Sequence, residues 1–264
     1  RQRQMCIRDR TTLTRLINGL SPEYYTGDLQ GEVEINGEKV GQTSIQSLSK
    51  VVGSVFQNPK SQFFNVDSTS EIAFGLENMG VDRMEMLDRI GKVAYALNIH
   101  ELLDRNLFNL SGGEKQKIAC ASTAVMEAPI LVLDEPSSNL DIESIDDLKN
   151  ILKYWKQQGK TIIIAEHRLF YLMDLVDRVI YMKDGRISKD YSIEEFKDIS
   201  DKKLHEMGLR SSHIPKFESK DIEYTNEIAL DNFCVYYNKV VGLEINHLDL
   251  PRKHIIGILG KNGA

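Results

Sequence analysis

Net positive charge is missing from this chain: 33 lysines and arginines face 39 aspartates and glutamates, for a formal charge of -6. A general nucleic-acid binder needs a positive face to neutralise phosphates, so no nucleic-acid partner is expected. Long hydrophobic runs are missing too. The longest, Ile130 to Leu133, Thr161 to Ala165 and Ile255 to Leu259, fall far short of the roughly 20 apolar residues of a membrane-spanning helix, so the chain is not expected to cross a bilayer itself. Cysteine is scarce. Cys6, Cys120 and Cys234 stand far apart with no Cys-x-x-Cys or Cys/His spacing, which argues against a disulfide framework or a zinc site and fits a reducing cytoplasm. Residues 1–10 carry four arginines and one aspartate but no apolar run and no small-residue cleavage site, so they are not a secretory signal. They also lack glycine. What is there is an ordinary globular composition, 41% hydrophobic and 27% charged over 264 residues, enough for one large domain or two ordinary ones with a substantial core.

The pattern alternates between helix and strand. Leu13 to Leu20 reads as a short helix closed by Gly19, with Pro22 beyond it. Asn36-Gly37, set between alternating apolar residues, is a hairpin signal, and Val51 to Phe56 is a strand ending at Gln57. Helices follow at Ser70 to Met79, Arg83 to Leu97, Ser111 to Glu127 and Ile142 to Gln158. Ile130 to Asp134 and Thr161 to Glu166 are short apolar runs of the kind buried in parallel sheets. Lys183-Asp184-Gly185 turns another hairpin. His205 to Asn226 is polar and shows no sustained period, so it reads as a linker. After it come strands at Leu230 to Tyr237 and Leu243 to Leu248, then a buried strand at Ile255 to Leu259.

Two blocks carry chemistry. Ile130 to Asp134 ends in adjacent carboxylates, Asp134 and Glu135. The first is placed to hold Mg2+, a small hard cation that prefers oxygen and keeps part of its water shell; the second can polarise an attacking water. Paired carboxylates also end many sheets by chance. Ser111-Gly112-Gly113 opens a helix whose unsatisfied N–H groups form an anion site, with Ser111 as cap; the plain alternative is an N-cap before a surface helix whose first turn, Glu114 to Lys117, is solvated. Gln57 displays an amide at a strand end, where it can ligate Mg2+ or be merely exposed. His167 stands at another strand end, where a neutral imidazole can bond a phosphate oxygen or simply sit in a turn.

Gln57, Leu110 to Gln116, Asp134-Glu135, Ser137 to Asp141 and His167 occur in the order and approximate spacing of an ABC transporter ATPase domain, which residues 11 to about 200 resemble. The resemblance implies a P-loop NTPase fold of α/β class, a mixed sheet core with a helical subdomain, taking ATP and Mg2+. It implies that Gln57 senses nucleotide, that Ser111, Gly112, Gly113 and Gln116 form the signature capping the γ-phosphate of an opposing domain, and that Asp134 is the magnesium ligand. It further implies Glu135 as catalytic base, Asp141 as the residue facing the partner site and His167 as the switch histidine. The sequence from about 228 looks like the start of a second such domain, with Tyr237 placed where an aromatic would stack on adenine, although Tyr236 competes for that role.

The phosphate loop departs from the family pattern. A Gly-x-x-x-x-Gly-Lys-Ser/Thr element wraps phosphates with backbone N–H groups, but Arg8-Asp9-Arg10 precedes Thr11 and Thr12 here. Thr11 aligns with the magnesium-ligating hydroxyl and Thr12 with its neighbour. At the other end, Gly260-Lys261-Asn262-Gly263-Ala264 matches the opening of a second such loop. The organisation expected is therefore a foreign leader at 1–10, a first ATPase domain over 11–204 without its phosphate loop, a linker over 205–227 and the beginning of a second domain over 228–264. A degenerate site with Arg10 in place of the lysine is the less favoured alternative.

Phe56 to Phe64 and Glu71 to Asn78 are similar to the ATPases of energy-coupling-factor importers, the cobalt and vitamin uptake group. That likeness implies two fused ATPase domains, a transmembrane coupling subunit, a small substrate-binding membrane subunit and a place at the cytoplasmic face of a prokaryotic membrane. Phe63 and Phe64 then either face the coupling subunit or fill the core. A soluble ABC ATPase of translation or DNA repair is the rival, which the absence of a basic arm or charged insertion disfavours.

Overall fold

The computed structural model describes residues 2–213, 227–237, 240–252 and 256–257, with the backbone alone for 2–8, 227, 237 and 240. The chain divides into two compact units between Ile214 and Pro215.

In the first unit a parallel sheet forms from β3 (Val52–Val55), β4 (Ile130–Asp134) and β5 (Thr161–Ala165), in that spatial order. Their registers pair Val55 with Leu133 and Asp134 with Ala165, so the carboxyl ends of the strands lie side by side. Side chains alternate across a strand, and the alternation divides the interior. Leu131, Leu133, Ile162 and Ile164 enter a large core with the helices. Val132 and Ile163 turn the other way, into a smaller core shared with Ile35, Val40 and Leu48.

The large core is built from α4 (Ser68–Asn78), α5 (Arg83–Ala96), α6 (Gly112–Ala124) and α7 (Ile142–Gln157). Each begins at a short polar cap, Asp67, Asp82, Ser111 and Asp141, whose side chain accepts a first-turn N–H, which satisfies donors that a helix cannot satisfy itself. β3 lies so close to α6 that a Cβ on Gly53 would come within 2.7 Å of the Thr123 methyl. The smaller core lies under α1 (Gln2–Ile17) and the hairpin of β1 (Glu34–Ile35) and β2 (Glu38–Lys39). Two single turns, α2 (Leu20–Glu23) and α3 (Ile45–Leu48), join these pieces. A second hairpin, β6 (Arg178–Lys183) with β7 (Arg186–Ser192), is followed by α8 (Ile193–Lys197) and α9 (Asp201–Glu206), whose apolar residues Phe196 and Leu204 close a third cluster.

Three expectations are corrected. The first helix does not begin at Leu13 but runs unbroken from Gln2, because residues 2–12 contain neither Gly nor Pro and several good helix formers. The proposed linker is helical at its start, since α9 extends to Glu206; residues 214–226 lie outside the described ones. In the second unit, β8 (Glu227–Tyr237) and β9 (Val240–Pro251) pair as an antiparallel hairpin. Ile256 and Gly257, expected in a buried strand, have no regular structure, and Ile256 is exposed. A buried parallel strand needs neighbours on both sides, and the described residues of this unit supply only the hairpin.

Trp155, the sole tryptophan, is fully buried in the large core, and its indole N–H has no hydrogen-bond partner among the described residues. Trp155→Ala is expected to cost about 3–5 kcal/mol, whereas Trp155→Phe loses no hydrogen bond and should cost clearly less. Urea unfolding followed by circular dichroism gives both midpoints; equal losses would show that filled volume is not what the indole contributes.

Candidate functional site

The adjacent strand ends bring Gln57, Asp134, Glu135 and His167 to one edge of the sheet, where crevices of open α/β sheets take ligands. Glu135 is the centre. Its N–H donates to the Ala165 carbonyl at 2.8 Å, extending the β4–β5 ladder by one residue, and its φ of 44° lies in the left-handed region. That conformation costs a non-glycine residue roughly 1–3 kcal/mol. Its carboxylate is 8% exposed and accepts from Gln57 Nε2 at 3.0 Å on Oε2 and from Arg10 Nη2 at 3.1 Å on Oε1. His167 Nδ1 stands 3.6 Å from Oε2. His167 above all, with Arg10 assisting, holds the Glu135 carboxyl below the usual carboxylate range against the opposing effect of burial.

Asp134 is shifted the other way. Burial raises its carboxyl and the negative charge of Glu135 adds to this, while a hydrogen bond with Thr11 opposes it. Asp134 Oδ1 is buried with no hydrogen-bond partner among the described residues. A cavity of about 210 Å³ is lined by Thr11, Gln57 and Asp134 together, the three residues expected to hold a cation. The donor set fits Mg2+: an orphaned buried carboxylate oxygen, a hydroxyl and an amide, all hard oxygen donors. No group of three or more His, Cys, Asp or Glu side chains suited to a metal occurs among the described residues, so a cation here would retain several waters.

The phosphate side does not fit. Thr11 and Thr12 sit well inside α1 rather than at its start, so the backbone N–H groups there are consumed by the helix, and an anion cradle needs them free. Thr12 is exposed.

The signature turn opens at the Ser111 cap the sequence leads one to expect. Ser111 and Glu114 form a reciprocal capping box: Ser111 Oγ accepts from the Glu114 N–H at 3.3 Å, and Glu114 Oε2 accepts from the Ser111 N–H at 2.7 Å. The Gly112 and Gly113 amides remain as uncapped donors of the first turn among the described residues, while the Ser111 hydroxyl also stabilises the ionised Glu114 carboxylate. Gly113 is held for packing as well, since a Cβ there would lie 2.8 Å from Ser144 Cβ. The expected solvated first turn is corrected: Lys115 and Gln116 are buried. Lys115 Nζ donates to the carbonyls of Leu110 and Phe108, which offsets only part of the cost of burial, since burial still holds its ammonium below the ordinary lysine range. Gln116 lies beside the Cys120 thiol, which burial pushes up to about 12, and it lines a cavity of about 370 Å³ with Gln57 and Gly112, its buried amide nitrogen without a hydrogen-bond partner among the described residues. Asp141 caps α7, accepting from the Ser144 N–H at 2.8 Å.

Phe63 and Phe64 divide between their two readings. Phe63 packs against the large core, and Phe64 is 75% exposed, stacked on Phe74 with ring centroids 4.9 Å apart. The Tyr237 side chain and all of Gly260, Asn262 and Gly263 lie outside the described residues; Tyr236 is exposed. Sequence reasoning missed Glu166, Ser137 and Tyr171, which form a buried cluster behind the edge. The available signal was a carboxylate placed between a buried strand and a histidine.

Residues 10–138 match the ABC transporter family. The chain is 44% identical over 267 residues to an ABC transporter ATP-binding protein of Treponema denticola, covering 97% of this chain and 54% of that one. It is 36% identical over 214 residues to another of Pyrococcus horikoshii, covering 81% of this chain and 78% of the relative. Among solved structures it resembles cbiO1 from Clostridium perfringens, part of the ABC transporter complex cbiONQ, with TM-score 0.63 and 29% identity over 72% of this chain and 75% of that one. A dimeric cassette, MJ0796, bound to ADP and Pi, shares the fold at TM-score 0.60 and 21% identity, covering 70% of this chain and 80% of that one. The chain spans about half the length, 54%, of the first curated relatives it matches. It belongs to the ABC transporter ATP-binding family, whose cassettes take ATP with Mg2+.

Proposed function

We propose that this chain is the capping and cutting part of an ATPase that powers import of a vitamin, cofactor precursor or transition-metal ion through membrane partners of the energy-coupling-factor type. The observation that carries the reading is Glu135, kept ionised between Gln57 and His167 at the sheet edge. A carboxylate so held can accept a proton from the water that attacks a γ-phosphate. Thr11 and Asp134, with Gln57, would hold Mg2+, which would screen charge on the transferring phosphoryl group. Ser111, Gly112 and Gly113 face a triphosphate bound by a second cassette, supplied by the same parent chain or by another copy. Gln116 and Asp141 support this surface from behind, by holding α6 and α7.

The importer subgroup is supported by the likeness to cbiO1 and by the exposed Phe64–Phe74 stack. This stack is the docking face for a transmembrane coupling subunit, which in turn carries a small substrate-binding subunit. No helix of the described residues is long and apolar enough to cross a membrane, in keeping with a peripheral place on the cytoplasmic face. Co-purification of the parent protein with a membrane subunit is the expected result, and stable ribosome association instead would favour the soluble rival.

Two measurements bear on the site. With no glycine loop before Thr11, the 264-residue chain should bind MgATP weakly, and a calorimetric titration giving micromolar affinity would overturn this. With a Gly-x-x-x-x-Gly-Lys loop grafted before Thr11, ATP turnover should appear. Glu135→Gln should then lower kcat by about 10²–10⁴-fold while leaving nucleotide binding intact; unchanged kcat would remove Glu135 as the base.

A further inference from the structure

Glu166 follows β5 and precedes His167, and its side chain is 2% exposed. Oε1 accepts from the Ser137 N–H at 3.3 Å, from the Ser137 hydroxyl and from the Tyr171 hydroxyl at 3.0 Å. Oε2 accepts from the backbone N–H groups of His167 at 2.7 Å and Arg168 at 3.2 Å. These are five donors, and none is a lysine or arginine side chain. The Arg168 guanidinium is turned instead to the Leu140 and Ser138 carbonyls, and Arg10 reaches only the backbone carbonyl of Glu166.

A buried carboxylate is costly unless its lone pairs are filled. Here they are filled by groups that can only donate, or that are oriented to donate. An amide in the same place would turn N–H groups toward N–H groups or hydroxyl protons, since a glutamine offers an acceptor on one side only. The cluster therefore requires an acceptor on both sides. One side grips Ser137, three residues beyond Asp134; the other grips the backbone of the His167 turn. Tyr171, itself buried, closes the back. His167 Nδ1 lies 3.5 Å from Glu166 Oε2 and 3.6 Å from Glu135 Oε2, between two carboxylates.

We infer that Glu166 is a positioning residue, which locks the His167 turn to the turn after Glu135 and thereby fixes the imidazole with Nδ1 facing the two carboxylates and Nε2 directed away from them. The inference rests on the reading in which Glu135 and His167 act together. It assigns Glu166 no contact with nucleotide. A nitrogen flanked by two carboxylate oxygens carries the proton, so neutral His167 is the Nδ1–H tautomer, the reverse of the form that free histidine favours.

The test is 15N NMR of the chain labelled at histidine, recorded where the His167 ring is neutral and assigned with a His167→Gln control. The native chain should show the Nδ1–H pattern, and an Nε2–H pattern would overturn the inference at once. In Glu166→Gln the ring should shift toward Nε2–H, and amide exchange at His167 and Arg168 should quicken by tenfold or more, with the circular dichroism of a folded protein. Tyr171→Phe removes a donor from the far side; it should lower stability yet leave the tautomer unchanged, which separates positioning from a merely structural role. If Glu166→Gln does not fold, Glu166→Asp, with the charge kept but the oxygens withdrawn, carries the same comparison. A folded Glu166 variant with a native His167 pattern sinks the positioning role alone. Unchanged turnover in Glu135→Gln sinks the hydrolysis reading while leaving the tautomer result standing.

Discussion

Keeping the Glu135 carboxylate ionised where it is 8% exposed is the constraint on which the sheet edge depends. Burial by itself pushes its carboxyl up. The groups around it come from three segments far apart in sequence, Gln57 after β3, His167 after β5 and Arg10 within α1, and of these His167 first and Arg10 next oppose the burial. Only a parallel sheet in this register lays Gln57 and His167 beside β4. The left-handed backbone at Glu135 is the local cost of turning the chain there while still donating to Ala165.

Arg10 alters the chemistry of that edge. Its guanidinium supplies a fixed positive charge where the family pattern would place a mobile loop lysine, but it spends that charge on Glu135 and on the Glu166 carbonyl. A carboxylate whose charge is already neutralised is a weaker base, because stabilising its ionised form reduces its driving force for taking a proton. The alternative in which Arg10 stands in for a phosphate-binding lysine is therefore poorly served by this geometry. The guanidinium faces the base, and the surrounding α1 backbone offers no free N–H groups for phosphate.

Much of the arrangement was legible in sequence because it rests on short-range rules. The runs ending at Asp134 and Ala165 announce buried parallel strands, Asn36-Gly37 and Asp184-Gly185 announce hairpins, and Ser111 announces a cap. The strand ends showed each of Gln57, Asp134, Glu135 and His167 separately, and it was the family resemblance that joined them into one site. What stayed hidden depends on distant partners. Glu114 to Lys117 looks like a solvated turn, and only the placement of the Leu110 and Phe108 carbonyls explains why Lys115 is buried. Gly113 looks like a phosphate-approach glycine, and its crowding by Ser144 is a helix–helix fact. Glu166 reads as the last residue of a strand until Ser137 and Tyr171 are seen around it. The start of α1 lies outside such rules for another reason: residues 2–12 carry no cap or apolar period to announce a helix, only the plain helix propensity of a run without Gly or Pro.

The segment from Gln57 to Asn65 shows how an outer surface can be tied to this edge. Gln57 bonds Glu135 through its amide, and its carbonyl accepts from the Ser138 hydroxyl at 3.3 Å. Asn58 caps the next turn at the Lys60 N–H, and Gln62 Oε1 folds back to the Phe56 N–H at 3.3 Å. At the far end, the buried Glu71 carboxylate accepts from the Phe64 and Asn65 N–H groups at 2.9 and 2.8 Å. The segment is closed by its own side-chain caps and has two anchors. One anchor is α4 through Glu71, and the other is the base. This turn is the shortest covalent path from the Phe64–Phe74 stack, the docking face proposed above, to the hydrogen bond between Gln57 and Glu135. Coupling through such a path requires two discrete arrangements of that bond, made and broken, each biased by what occupies the outer face.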